Sequence, residues 1–354
     1  MVHVRELVSS AGFPSHLSTM WRYSELLPVR SESSIVSLGE GWTPLIRSRR
    51  LYSEVGLTSL MIKDESRNPT SSFKDRGLCA AVSKHLELGA RSFALPSAGN
   101  AAVSMSAYCA AAGVRSHVFM PADTPSSFFN ECGLYGAEAT EVKGTIADCS
   151  AKMKLSGGDW TDLSTTKEPY RVEGKKTLGF EICEQLAWSV PDAVICPTGG
   201  GTALIGIWKA MKELEEIGLV GSDRPRMYAV QSEGCAPVVR AVWSGSDDLE
   251  PWSRCNTQAL GLRVPGPFAG KLILEAIRSS HGSAVSVPDK EIRPMELRAA
   301  RMEGLNICPE AAIGLAGLKE LVQSASIDRD ETVVMLNTGS GSRYRNNGKS
   351  LACQ

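Results

Sequence analysis

The ten cysteines never fall in a Cys-x-x-Cys pair and the five histidines make no ligand spacing, so no structural zinc or other metal site is expected. Cys79, Cys109, Cys132, Cys149, Cys183, Cys196, Cys235, Cys255, Cys308 and Cys353 are scattered, and they read as small buried apolar residues and free thiols. The chain also lacks an apolar run of transmembrane length, and its opening Met-Val-His-Val-Arg-Glu is polar and broken, so neither a membrane span nor a secretory leader is expected. A formal net charge of -1 supplies no basic field for nucleic acid, and there is no acidic tail, tandem repeat or low-complexity tract. These absences point to a cytoplasmic protein that acts on a small molecule, with no nucleic-acid or membrane partner.

What remains is a chain of 354 residues, 43% hydrophobic, long enough to bury one or two substantial cores. Short β-branched runs alternate with helical periodicity, the pattern of an α/β protein with mostly parallel sheets and helices on both faces. Strands are expected at 92–95, 116–120, 193–196, 227–231 and 332–336, each ending in a loop of Pro, Gly, Ser or Asn. Helices are expected at 100–112, at 201–218 with Ile205, Trp208, Met211 and Leu214 on one face, and at 309–322 with Ile313, Leu315, Leu318 and Leu321. Ser156-Gly-Gly-Asp and Ser244-Gly-Ser-Asp-Asp read as exposed loops, and residues 346–350 as a frayed tail.

The most informative segment is Asn68-Pro-Thr-Ser-Ser-Phe-Lys74-Asp-Arg-Gly77, which sets one lysine at the mouth of a helix behind a turn whose hydroxyls and N–H groups suit an anion. A helix N-terminus carries partial positive charge, so an amine held there loses proton affinity and becomes a nucleophile toward an aldehyde such as pyridoxal phosphate. Taken alone, the segment fits a solvated surface lysine better.

Parallel sheets bind ligands beyond the carboxyl ends of their strands, which directs attention to three loops. Pro197-Thr-Gly-Gly-Gly201-Thr202 offers backbone N–H groups free of Cβ atoms at a helix start, a phosphate cradle, or else an ordinary tight turn. A dinucleotide reading fails, because there is no GxGxxG and Glu233 lies too far along to meet a ribose. Pro96-Ser-Ala-Gly-Asn100 presents the Ser97 hydroxyl, N–H groups and one amide, suited to a small carboxylate and a phenolic oxygen, or to plain helix capping. Asn337-Thr338-Gly-Ser-Gly341 offers a neutral hydroxyl, which at a pyridine nitrogen leaves the ring largely unprotonated.

These residues carry a resemblance that spans nearly the whole chain. Trp21-Arg-Tyr-Ser-Glu-Leu-Leu-Pro28, Leu38-Gly-Glu-Gly-Trp-Thr-Pro-Leu45, Lys63-Asp-Glu65, Ser72-Phe-Lys-Asp-Arg-Gly77, Pro96-Ser-Ala-Gly-Asn100 and Val142-Lys-Gly-Thr-Ile-Ala-Asp-Cys149 come first. Glu168-Pro-Tyr-Arg-Val-Glu-Gly-Lys-Lys-Thr177, Pro197-Thr-Gly-Gly-Gly-Thr202, Val230-Gln-Ser-Glu-Gly-Cys-Ala-Pro237 and Asn337-Thr-Gly-Ser-Gly341 follow. In that order they resemble the threonine synthases, pyridoxal phosphate enzymes of fold type II in the tryptophan synthase β-like group. The lysine, glycine-loop and Ser-x-Gly-Asn pieces are common to the fold type, whereas Trp-Arg-Tyr, Glu-Pro-Tyr-Arg and Asn-Thr-Gly are more particular to threonine synthases.

The resemblance implies that Lys74 bonds covalently to the cofactor and shuttles protons at the substrate's α and β carbons. It places Asn100 at the phenolic oxygen, Gly199, Gly200, Gly201 and Thr202 at the cofactor phosphate, and Thr338 at the ring nitrogen. Ser97, Ala98 and Gly99 meet the substrate carboxylate. Thr165, Thr166 and Arg171 meet its phosphate, where a guanidinium suits a dianion; without the resemblance Arg171 reads as a surface salt bridge. The implied reaction takes O-phospho-L-homoserine and water to L-threonine and phosphate. Also implied are a homodimer and two domains, a large cofactor-binding one over 1–87 and 166–354 and a smaller mobile one over 88–165. Ser340, where a histidine is frequent in the family, Ser342-Arg-Tyr344 and Asn306 depart from the family pattern and leave substrate choice open. Two other readings stand beside it, a serine or threonine dehydratase or replacement enzyme, and a non-catalytic ligand-binding relative.

Overall fold

The computed structural model describes residues 13, 14 and 16–344. The polar opening, His3, Cys353 and the tail at 346–350 therefore lie outside the described residues. Ten strands are formed: β1 Leu45–Arg47, β2 Leu60–Asp64, β3 Ser92–Pro96, β4 Arg115–Pro121, β5 Glu138–Val142, β6 Thr161–Asp162, β7 Ala193–Pro197, β8 Arg226–Ser232, β9 Ser283–Val287 and β10 Val333–Asn337. They make two sheets, one in the order β1-β2-β10-β7-β8-β9 and one in the order β5-β4-β3-β6. Every pairing is parallel except β1 on β2.

The five expected strands are β3, β4, β7, β8 and β10, each within one or two residues of its expected bounds. The expected helices appear as Asn100–Ala111, Thr202–Glu216 and Pro309–Gln323. The strands not expected fail the hydrophobic test for identifiable reasons. β5 is a sheet edge with polar, largely exposed residues, and β2 ends in the charged pair Lys63 and Asp64, both buried. Nine cysteines are free, eight of them buried and Cys255 intermediate. Among the described residues no helix is long and apolar enough to cross a membrane, and no cluster of three or more His, Cys, Asp or Glu is placed to hold a metal.

Charge inside the larger sheet region is balanced. Arg76 forks onto both Glu65 oxygens at 2.7 and 2.8 Å and onto Glu181 at 2.5 and 2.7 Å, while Lys63 Nζ reaches Glu181 at 2.7 Å and Thr43 O at 2.7 Å. Two cations thus meet two carboxylates, and the cluster ties β2 to the helices Lys74–Glu87 and Tyr170–Gln185. The two cations hold the Glu181 carboxyl down at about 2 against the opposing effect of its burial. Glu181→Ala leaves Arg76 and Lys63 with uncompensated charge, and a loss of about 3–5 kcal/mol in unfolding free energy by urea titration is expected.

Candidate active site

Chain order separates Lys74, the glycine loop and Thr338, but sheet order brings them together. β10 lies between β2 and β7, so the segments leaving the carboxyl ends of these three neighbours emerge side by side. The turn before Lys74 is laced to the loop after β10. Phe73 N donates to Thr338 O at 3.0 Å, Ser340 N donates to Ser71 O at 2.9 Å, and Ser72 bridges Gly339. Facing them are the loops after β3 and β6, which are adjacent in the second sheet. A cavity of about 270 Å³ results, and its wall includes Lys74, Ser97, Ala98, Gly99, Asn100, Thr165, Thr166, Gly199, Gly200, Gly201, Thr202 and Thr338. Of the site residues expected from sequence, Arg171 alone is not in that wall.

The glycine loop fits a phosphate. Gly201 has φ +75°, and a Cβ there would fall 2.3 Å from Ile273; a Cβ on Gly199 would fall 2.3 Å from the Gly261 carbonyl oxygen. Among the described residues no protein acceptor takes the N–H of Gly199, Gly200 or Gly201, which precede the helix Thr202–Glu216. Unsatisfied donors at a helix N-terminus form an anion cradle.

Lys74 is the first residue of the helix Lys74–Glu87, and its amine is pulled down to about 8. The first cause is burial and the second is the Arg171 guanidinium, against which Glu310 pulls upward. Burial, rather than the helix end invoked from sequence, is therefore the leading cause. The Pro-Thr-Ser-Ser turn also differs from expectation, because its anion is internal. Thr70 N donates to Asp75 Oδ2 at 2.6 Å and the Thr70 hydroxyl bonds Oδ1, so those donors are occupied. Ser97 caps its own helix, its Oγ accepting from Gly99 N and Ala102 N at 3.1 Å each. Asn100 Nδ2 donates to the Tyr344 hydroxyl at 3.0 Å, and Thr338 Oγ1 lies 3.3 Å from Cys308 Sγ.

Arg171 is not a surface residue. It is 1% exposed, Nη1 donates to Leu163 O at 2.7 Å just before the wall residues Thr165 and Thr166, and Nε and Nη2 have no partner. One turn on, Lys175 is fully buried and its Nζ has no hydrogen-bond partner among the described residues; it lies 5.3 Å from the centroid of the Phe73 ring that Lys74 Nζ approaches at 4.5 Å. Glu168 spends its oxygens on the backbone N–H of Tyr170 and Arg171 at 2.8 and 3.1 Å. Burial and the neighbouring charges of Arg171 and Lys74 push the Lys175 amine far down. Unlike the side chains of the balanced Arg76 cluster, Arg171 and Lys175 make no ion pair among the described residues.

Sequence reading missed Lys175, Glu310 and Tyr344. Lys175 lies in the Glu168–Thr177 segment with no local signal of its own, and its burial beside Lys74 follows only from helix packing. Glu310 opens a helix whose sequence signal is its apolar face, and nothing in that pattern marks an acid turned into a cavity.

Residues 36–339 match the family model described as pyridoxal-phosphate dependent enzyme. The chain belongs to the pyridoxal-phosphate-dependent enzymes. The threonine synthase of Methanocaldococcus jannaschii is 38% identical over 340 residues, 96% of this chain and 84% of that protein. The threonine synthase of Halalkalibacterium halodurans is 34% identical over 339 residues, 94% of this chain and 92% of that protein. In fold, maize serine racemase matches with a TM-score of 0.73 at 22% identity, over 84% of this chain and 88% of that one. A tomato (Solanum lycopersicum) threonine deaminase matches with a TM-score of 0.71 at 22% identity, over 84% of this chain and 79% of that one. The fold is thus that of fold type II members of the family, and the cofactor is pyridoxal phosphate.

Proposed function

We propose that this enzyme is a threonine synthase, converting O-phospho-L-homoserine and water to L-threonine and phosphate by elimination at the γ carbon and addition of water at the β carbon. The observation that carries the phosphorylated substrate is the buried Arg171 guanidinium, whose Nε and Nη2 have no hydrogen-bond partner among the described residues. A buried charge without a counter-ion is costly, and a dianionic phosphate offsets that cost. The likeness to threonine synthases over most of the chain supports the same reading. A serine or threonine dehydratase has no substrate phosphate and would leave Arg171 unmatched.

When bound, pyridoxal phosphate stores the electrons released at the substrate's α carbon. Lys74 is assigned to bond it and to move protons, Gly199, Gly200, Gly201 and Thr202 to hold its phosphate, Asn100 its phenolic oxygen and Thr338 its ring nitrogen. Ser97, Ala98 and Gly99 are assigned to the substrate carboxylate, and Thr165, Thr166 and Arg171 to its phosphate. The reading takes residues 88–165 as a smaller mobile domain that closes over the substrate and excludes water, and 1–87 with 166–354 as the larger one. It takes the assembly as a cytoplasmic homodimer, as the resemblance implies.

Because the neutral amine is the nucleophile and Lys74 is lowered to about 8, cofactor uptake by the apoprotein should speed up as pH rises and level off above that value. Stopped-flow absorbance between pH 6 and 10 measures the midpoint; an ordinary lysine would give one near 10.4. The function itself is tested by assaying phosphate release and products with O-phosphohomoserine, phosphoserine, serine and threonine. Threonine from the first alone is expected, and keto acid from serine or threonine would select the dehydratase.

A further inference from the structure

The cavity wall contains one carboxylate that no assigned role uses. Glu310, 5% exposed, stands in the first turn of the helix Pro309–Gln323 and lines the same cavity as Lys74. Its two oxygens are unequally employed. Oε1 accepts from Gly261 N at 2.7 Å and from the Tyr344 hydroxyl at 3.2 Å, while Oε2 is buried without a hydrogen-bond partner. Fastening the 260–262 segment therefore needs only Oε1. The Tyr344 hydroxyl in turn accepts from Asn100 Nδ2 at 3.0 Å, and the Tyr344 ring meets Phe128 edge to face at 5.6 Å, so the phenol orienting Glu310 is itself fixed.

The proposed reaction gives such a group work. Protons leave the α carbon and then the β carbon before phosphate departs, and a single amine holds one proton at a time. Once Lys74 has taken the α proton it is an ammonium, and it takes the β proton only after passing the first one on. We propose that Glu310 is a second proton-transfer group of this site, receiving on Oε2 the proton that Lys74 has taken from the α carbon. No ion pair joins the two side chains among the described residues, so the transfer runs through one bridging water in the cavity: an N–H bond of the Lys74 ammonium breaks and an O–H bond on Glu310 forms, the water gains and loses one proton, the amine returns to neutral, the carboxylate becomes a neutral acid, and the charge of the pair is unchanged. The reverse transfer restores the α proton at the end of the cycle. The groups facing this carboxylate are Lys74, the Cys308 thiol and the Tyr344 hydroxyl, and burial with the Glu310 charge holds both of the latter well above their ordinary values, so they remain protonated. Tyr344 is a positioning residue in this scheme.

The inference rests on the threonine synthase reading, so threonine formation by the wild-type holoenzyme is established first, and the variant then reports on Glu310 alone. Glu310→Gln keeps the Oε1 acceptor and the volume but cannot take a proton at the other position. In deuterium oxide with O-phosphohomoserine, NMR follows deuterium entry at the α and β carbons. The variant is expected to keep its bound cofactor with unchanged visible absorbance and to lose kcat by about 100-fold, within the range of acid–base catalysis. Its β exchange should fall much more than its α exchange, with KM little moved; a merely structural contact would slow both together. Equal slowing, or no change in either, overturns the proposal. Should Glu310→Gln lose cofactor, Glu310→Asp, which keeps a carboxylate one methylene shorter, is read in the same way, with selective slowing of β exchange expected and equal slowing again contradicting the role.

Discussion

Lys74→Ala should abolish threonine formation, with a fall in kcat of at least ~10⁴-fold, the upper end of what acid–base catalysis alone supplies. The amine is asked to do two things, to bond the cofactor and to carry protons, and alanine does neither. The cofactor should also separate from the variant on desalting, as followed by visible absorbance, since only the noncovalent contacts of the glycine loop, Asn100 and Thr338 would remain. Lys74→Arg should be equally inactive, because a guanidinium stays protonated and offers no lone pair. Retention of a tenth of the wild-type rate in either variant would remove Lys74 from the chemistry.

Arg171→Ala should lower kcat/KM for O-phosphohomoserine by about 100-fold. Two free guanidinium nitrogens offer two charge-assisted hydrogen bonds to a phosphate at ~1.5 kcal/mol each, and ~3 kcal/mol is a factor of a little over a hundred. The visible spectrum of the bound cofactor should persist, since Arg171 is not among the residues assigned to hold it. Arg171→Lys should recover only part of the loss, because an ammonium lacks the planar fork that matches phosphate oxygens. Steady-state kinetics of both variants, with serine as a non-phosphorylated comparison, measure the effect; an unchanged kcat/KM would detach the phosphate from Arg171.

Why the site was largely legible from sequence is visible in its loops. Glycine clusters, Ser-x-Gly-Asn and the lysine turn sit where strands end, and in a parallel sheet that end is where ligands bind, so these local signals, with Thr165 and Thr166 supplied by the family resemblance alone, name twelve of the thirteen expected residues in one cavity wall. The thirteenth, Arg171, shows the limit. Its guanidinium is buried against Leu163 O, and a charged residue in a helix gives no sequence signal for burial. The same blindness hid Lys175 and Glu310, as well as β2, whose charged Lys63 and Asp64 break the apolar pattern yet are buried against Glu181 and Asn337. Periodicity reports the apolar faces, whereas buried charges depend on partners remote in sequence.

Lys74 as the attachment point for pyridoxal phosphate is tested most directly by borohydride reduction of the cofactor-loaded enzyme, followed by proteolysis and peptide mapping by mass spectrometry. The account predicts a single phosphopyridoxyl group on the peptide containing Ser72-Phe-Lys74-Asp-Arg. The group on Lys63 or Lys175 instead, or loaded protein with no lysine modified, would contradict it.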